Sequence, residues 1–229
     1  MAIDGPAGSG KSTTARAVAE RLGFAHLDSG ALYRAFTLAA LDRGLPPDDG
    51  PRIAALAGEL PVRLVLTDEG YRPEVAGVDV STAGRHPDVT AQVSGVAALP
   101  AVRAAANTQL RAAAAQHPRG VVVDGRDIGT VVFPDAGLKV FLTATAAERA
   151  RRRLLQDGRA ADPATVAREA EVLLARDRAD AERAEAPLRE PAGAIRLDTT
   201  GLSFEDQVEA IVAAARNTFR SLDIDDQQT

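Results

Sequence analysis

The 229-residue chain contains no cysteine, which excludes disulfides, thiol catalysis, iron–sulfur clusters and thiolate zinc sites together. Histidine is scarce too. His26, His86 and His117 are scattered, which argues against a histidine-based metal cluster. Long apolar runs are missing: the mean hydropathy is −0.10, and no stretch approaches the roughly 18 uninterrupted apolar residues of a membrane span. No basic segment followed by an apolar stretch opens the chain, so no signal peptide is expected. Nor is there an excess of positive charge. With 27 basic and 32 acidic residues the formal charge is −5, and neither nucleic acid nor a membrane is expected as a partner. Lysine occurs only at Lys11 and Lys139, so weight falls on where arginines sit and not on how many there are. The expectation is a soluble, cytoplasmic protein with one sizeable domain and at most a small insert.

What is present alternates between strands and helices. A short strand over 1–4 runs into a glycine-rich turn at 5–10. A helix follows from Lys11, with Ala15, Val18, Ala19 and Leu22 at helical spacing and Gly23 ending it. Residues 24–27 read as a second strand, Asp28-Ser29-Gly30 as a cap, and 31–42 as a helix closed by Gly44. This rhythm predicts an α/β fold with a parallel sheet wrapped by helices. It breaks at 61–87, where 62–66 and 71–75 flank Thr67-Asp68-Glu69-Gly70 as an antiparallel hairpin, followed by 78–80. Helices are expected at 87–99 and 100–117, strands at 121–124 and 138–142, helices at 145–156 and 163–183, a strand at 195–198 and a helix at 203–219. A tail from 221 to 229 is expected to be disordered.

Gly5-Pro6-Ala7-Gly8-Ser9-Gly10-Lys11-Ser12 matches G-x-x-x-x-G-K-[ST] without adjustment, between a strand and a helix. Its glycines let successive N–H groups turn toward a phosphate, and the helix N-terminus adds its positive end at the same point. Lys11 is then expected at the β- and γ-phosphates of a nucleotide and the Ser12 hydroxyl on Mg²⁺; a phosphate loop alone does not separate motors, switches and kinases. A GTPase would carry an N/T-K-x-D guanine-reading motif, and neither lysine sits in one.

Other segments leave two readings each. Ser29 and Arg34 are either a cap with a solvated arginine, or a helix start whose arginine meets an anion. Asp124-Gly125-Arg126-Asp127 lies at the carboxyl end of an apolar strand, where α/β ligands bind; its plainer reading is a surface Arg–Asp pair. Arg176, Asp180 and Arg183 share a helical face, which intrahelical salt bridges would explain. Arg149, Arg151, Arg152, Arg153 and Arg159 surround the loop at 157–162 and form either a lid over phosphates or a solvated basic face.

Taken together, these segments resemble the bacterial-type cytidylate kinase family. The resemblance is carried by residues 3–13, by Leu27-Asp28-Ser29-Gly30-Ala31-Leu32-Tyr33-Arg34, by the run from Val123 to Ala136 (D-G-R-D-x-G-T-V-V-F-P-D-A within it), and by Arg176-Asp177-Arg178 through Pro187-Leu188. It implies a P-loop nucleoside-monophosphate kinase fold with a central five-stranded parallel sheet. The kinase core would be 1–60 and 100–229, with a lid at about 156–163 and a monophosphate-binding insert at 61–99. It also implies phosphorylation of CMP and dCMP by ATP with Mg²⁺, in a monomer. Arg34, Arg126 and Arg183 would clamp the CMP phosphate; Ser29, Ser94, Arg103 and Asp127 would read cytosine; Arg176 and Asp180 would contact the ribose. ATP would lie on Gly5, Pro6, Ala7, Gly8, Ser9, Gly10, Lys11, Ser12 and Thr13, with Arg153 and Arg159 from the lid. Asp124 would hold Mg²⁺ directly or through water, beside Ser12. The alternative is another small P-loop kinase acting on AMP, dTMP or shikimate.

Overall fold

Short β-branched segments separated by amphipathic helices leave strands inside and helices outside as the arrangement that buries most apolar surface. The computed structural model describes residues 1–46, 49–67 and 70–226. In chain order its elements are β1 (Ala2–Asp4), α1 (Lys11–Leu22), β2 (Ala25–Asp28), α2 (Ser29–Asp42), α3 (Gly50–Leu56), β3 (Val62–Thr67), β4 (Gly70–Val75), β5 (Val78–Asp79), α4 (Pro87–Val96), α5 (Pro100–Gln116), β6 (Val121–Gly125), β7 (Lys139–Thr143), α6 (Ala146–Gln156), α7 (Pro163–Ala181), β8 (Ile195–Asp198) and α8 (Phe204–Asp226).

The central sheet is five-stranded and parallel throughout, in the order β2-β6-β1-β7-β8. β1, β2, β6 and β7 are buried on both faces, whereas the edge strand β8 is largely exposed. Val123 joins Leu27, Leu32, Phe36 and Leu110 on one side, while Val122 joins Ile3, Val18, Leu142 and Val212 on the other. Strands clothed on both faces read as unbroken apolar runs, which is why 121–124 and 138–142 stood out in the sequence.

β3, β4 and β5 form a separate antiparallel sheet, with Val62 opposite Val75 and Leu66 opposite Tyr71. The expected turn residues Asp68 and Glu69 lie outside the described residues. Val62 of this sheet, with Val80, Val93 and Val96 after it, belongs to the same buried cluster as Leu27 and Phe36.

Several boundaries differ from expectation. α2 begins two residues early because the Asp28 carboxylate accepts from the Ala31 N–H at 2.8 Å, leaving Ser29 inside the helix. α3 was not anticipated; it is seven residues long and buries only Ile53. α4 stops at Val96, since Pro100 restricts Leu99 to an extended conformation. α7 stops at Ala181, where the Asp180 carbonyl accepts from the Leu188 N–H at 2.8 Å, so Arg183 lies beyond the helix. α8 continues through Asp226 into the stretch expected to be a tail, because no glycine or proline after Phe219 stops it; residues 227–229 lie outside the described residues. Among the described residues, no single helix is long and apolar enough to cross a membrane.

Candidate active site

Parallel register sets Asp4 beside Gly125 and Asp28 beside Asp124, so three aspartates close the carboxyl ends of neighbouring strands. Asp4 is fully buried and accepts from the Ile128 and Gly129 N–H groups at 2.8 and 2.7 Å. Burial pushes its pKa up to about 6, helped by the Asp127 charge and opposed by those N–H groups and Lys11. The folded chain therefore holds a proton between pH 4 and 6 that the unfolded chain releases. Stability from this group is complete below pH 4 and is lost as pH rises through 6, by about 3 kcal/mol. Chemical denaturation at pH 4.5 and pH 7 is expected to give a smaller difference for Asp4→Asn than for the parent chain.

The turn after β1 needs glycine for two separate reasons. Gly5 has φ +151°, and a Cβ there would stand 2.2 Å from the Leu142 carbonyl oxygen; Gly8 and Gly10 have φ +74° and +86°. Gly5→Ala is expected to cost about 4 kcal/mol or more, roughly 8–16 °C in Tm by thermal melting. Lys11 opens α1 inside this turn, donating to the Pro6 carbonyl at 2.6 Å and to Ser9 Oγ at 3.4 Å. Burial pushes its ammonium well below the ordinary lysine value, with Arg126 adding and Asp124, Asp4 and Asp177 opposing. One residue on, Ser12 Oγ donates to Asp124 Oδ2 at 2.6 Å, and Asp124 Oδ1 lies 2.7 Å from His26 Nε2. The other hydroxyl, Ser29 Oγ, donates to the Asp124 carbonyl at 2.6 Å; a Cβ on Gly125 would stand 2.5 Å from that hydroxyl.

Beside the turn is a cleft of about 580 Å³ lined by all the residues expected to bind CMP: Ser29, Arg34, Ser94, Arg103, Arg126, Asp127, Arg176, Asp180 and Arg183. Arg34 Nη2 donates to Asp28 Oδ2 at 3.0 Å. Arg103 pairs with Asp127, both fully enclosed, and stands 5.5 Å over the Tyr33 ring. Burial raises the Asp127 pKa, opposed by Arg103, Arg183 and Arg126. Asp180 holds Arg126 Nε at 2.9 Å and forms no ion pair with Arg176, so the helical-face explanation of that trio gives way to a contact 54 residues apart. Arg176 Nε and Arg183 Nη2 are buried without a hydrogen-bond partner. Burial and the neighbouring Arg126, Arg153 and Arg34 charges bring Arg176 down to about 10. Buried cationic N–H groups with no acceptor are costly, and the presence of both arginines in the lining of this cleft suits an anionic ligand.

A second cleft of about 800 Å³ lies across the turn, between α6 and the segment Leu202, Ser203, Phe204 and Gln207. The two clefts share one wall, formed by Gly8, Gly10, Thr13, Gln156 and four arginines: Arg34, Arg85, Arg153 and Arg176. The basic run on α6 proves to be divided in use. Arg149 is buried and brackets the turn, donating to the Ala7 carbonyl at 2.6 Å and to Asp177 at 2.7 Å, while Asp177 accepts from the Ala7 N–H at 2.9 Å. Arg151 pairs with Glu148 at the surface, and Arg152 with Glu148, Thr199 Oγ1 and the Thr199 carbonyl. Arg153 lines both clefts, whereas Arg159 lines neither and is paired with Glu169 at 3.3 Å. The sequence reading missed Arg85, Gln207, Asp177 and His26. A histidine inside a short apolar strand was the one local signal among them.

Comparison with known proteins agrees with this geometry. The sequence model of the family described as cytidylate kinase matches residues 1–217. A cytidylate kinase from Pseudomonas fluorescens is 46% identical over 93% of this chain and 93% of its own length, and one from Exiguobacterium sp. is 44% identical over 92% and 93%. A bifunctional pantoate ligase/cytidylate kinase from Synechococcus sp. is 49% identical over 94% of this chain; the chain spans only 45% of that relative's length. With the phosphate loop, the arginine-lined cleft and a match across nearly all its residues, the chain belongs to the cytidylate kinase family.

Proposed function

We propose that the chain transfers the γ-phosphoryl group of ATP to CMP and dCMP, giving ADP and CDP or dCDP. The observation that carries this is the shared wall: two clefts meet at the phosphate loop among Arg34, Arg153 and Arg176, so a donor on one side and an acceptor on the other have their phosphates at one point. The acceptor phosphate is already ionised at neutral pH, so no strong general base is needed. Catalysis comes from in-line alignment and charge neutralisation. Lys11 and the turn's N–H groups hold the donor phosphates, with Arg153 beside them. Arg34, Arg126 and Arg183 hold the acceptor phosphate. The buried Arg103–Asp127 pair, with Ser29 and Ser94, meets the base, and Arg176 and Asp180 face the sugar. Arg159, tied to Glu169 outside both clefts, is the weakest member of the proposed ATP set and reaches phosphate only if the segment at 156–163 closes.

Ser12 Oγ and Asp124 Oδ2, 2.6 Å apart, are hard oxygen donors, and among the described residues no group of three or more His, Cys, Asp or Glu is placed to hold a metal ion by itself. Such a sparse oxygen set fits Mg²⁺, whose other ligands are substrate phosphate and water. Ser12 and Asp124 are the residues that would hold the ion, which when bound would neutralise charge on the donor phosphates. The insert at 61–99 closes over the acceptor and the segment at 156–163 over ATP, keeping water from the γ-phosphate.

The test is ADP release from Mg-ATP with CMP, dCMP, UMP, AMP, dTMP and shikimate offered separately. Rapid release with CMP and dCMP alone is expected. Preference for another acceptor would overturn the base assignments while leaving the phosphate loop in place.

A further inference from the structure

His26 lines neither cleft, yet it is one of the most enclosed polar side chains in the sheet, 7% exposed in the middle of β2. A histidine there displaces an apolar residue that the core would otherwise favour, so its hydrogen bond must carry the reason for it. Its Nε2 lies 2.7 Å from Asp124 Oδ1, and the other oxygen of the same carboxylate accepts from Ser12 Oγ at 2.6 Å. One unbroken chain thus runs from β2 through the end of β6 to the first turn of α1: imidazole, carboxylate, hydroxyl.

We infer that His26 is a positioning residue for phosphoryl transfer: by occupying Asp124 Oδ1 it fixes the carboxylate so that Oδ2 stays against Ser12, keeping the two oxygens that would hold Mg²⁺ set before substrate arrives. The inference rests on the proposed metal role of Ser12 and Asp124. Groups behind ligating carboxylates commonly account for about 10–100-fold in metal affinity or activity. Unlike the cleft arginines, His26 touches no substrate, so its effect passes entirely through Asp124.

The experiment compares the parent chain, His26→Leu, which fills the space without an N–H, and His26→Gln, whose amide can restore a donor. Calorimetry with ADP in EDTA and with ADP plus Mg²⁺ gives a readout independent of turnover; the Mg²⁺ dependence of kcat gives a second. For His26→Leu the expected result is unchanged affinity for metal-free ADP and for CMP, an about tenfold loss of the Mg²⁺ contribution to ADP binding, and an about tenfold rise in the Mg²⁺ needed for half-maximal kcat. His26→Gln is expected to recover most of both. An unchanged Mg²⁺ dependence in His26→Leu, a uniform loss of all ligand binding, or a glutamine variant no better than leucine would overturn the inference. If His26→Leu fails to fold, His26→Phe, which fills the ring volume, takes its place under the same criteria. Ser12→Ala separates the two levels. If it leaves the Mg²⁺ dependence unchanged, the metal reading itself fails; if it shifts that dependence while His26→Leu does not, only the role of His26 fails.

Discussion

Replacing Lys11 with alanine is expected to lower kcat for CMP phosphorylation by about 10²–10³-fold while leaving the fold intact. The fold should survive because Lys11 forms no ion pair among the described residues; its Nζ is held by the Pro6 carbonyl and Ser9 Oγ, both within the turn itself. Asp4 and Asp124 feel its charge but keep hydrogen-bond partners of their own, the Ile128 and Gly129 N–H groups for Asp4 and Ser12 and His26 for Asp124, and burial already disfavours the lysine charge. Catalysis should not survive, because a fixed ammonium inside a desolvated turn neutralises developing phosphate charge far better than water does. Circular dichroism and steady-state kinetics on the same preparation separate the two effects. Near-parental kcat in folded Lys11→Ala would sink the assigned role.

The second large effect concerns the base. Asp127→Asn is expected to collapse discrimination between CMP and UMP from several orders of magnitude to within about tenfold, chiefly by lowering kcat/KM for CMP. A carboxylate accepts from the cytosine amino group, while uracil presents a carbonyl at the same position and leaves the buried acceptor unpaired. Arg103 holds Asp127 in place, with Tyr33 beneath its guanidinium. Asparagine keeps the shape and one oxygen for Arg103, but it can turn an amide N–H toward uracil. Alanine would be a poorer test, since it leaves Arg103 buried and uncompensated. Measured kcat/KM for both nucleotides decides it; an intact ratio would show that cytosine is read elsewhere.

The residues that were legible in the sequence share a property: their chemistry is contiguous. The phosphate loop is eight residues in a row between a strand and a helix, and the two-sided burial of β6 and β7 made them continuous apolar runs. Asp124, Arg126 and Asp127 drew attention because they follow the end of an apolar strand, while the phosphate role of Arg34 and Arg126 came from the family resemblance. The rest depended on contacts that no local pattern encodes. Arg149 and Arg153 stand four apart in one basic run, yet Arg149 braces Ala7 against Asp177 and Arg153 lines the clefts. Asp180 meets Arg126 across 54 residues, where a helical-wheel reading had paired it within its own helix. Ser94 and Arg103, on α4 and α5, came from family resemblance alone, because nothing in α4 or in the alanine-rich α5 marks them. His26 was visible as an oddity, a polar ring in a short apolar strand, but its partner at Asp124 appears only once β2 and β6 lie side by side.

The most direct measurement follows the phosphoryl group itself. The protein is mixed with Mg²⁺, CMP and ATP labelled at the γ-phosphate, and the products are separated over time. Label is expected to appear in CDP in step with ADP, with negligible inorganic phosphate, and the same reaction without CMP is expected to leave ATP intact. Label appearing in inorganic phosphate whether or not CMP is present, or ATP left untouched when CMP is supplied, would contradict transfer between the two clefts.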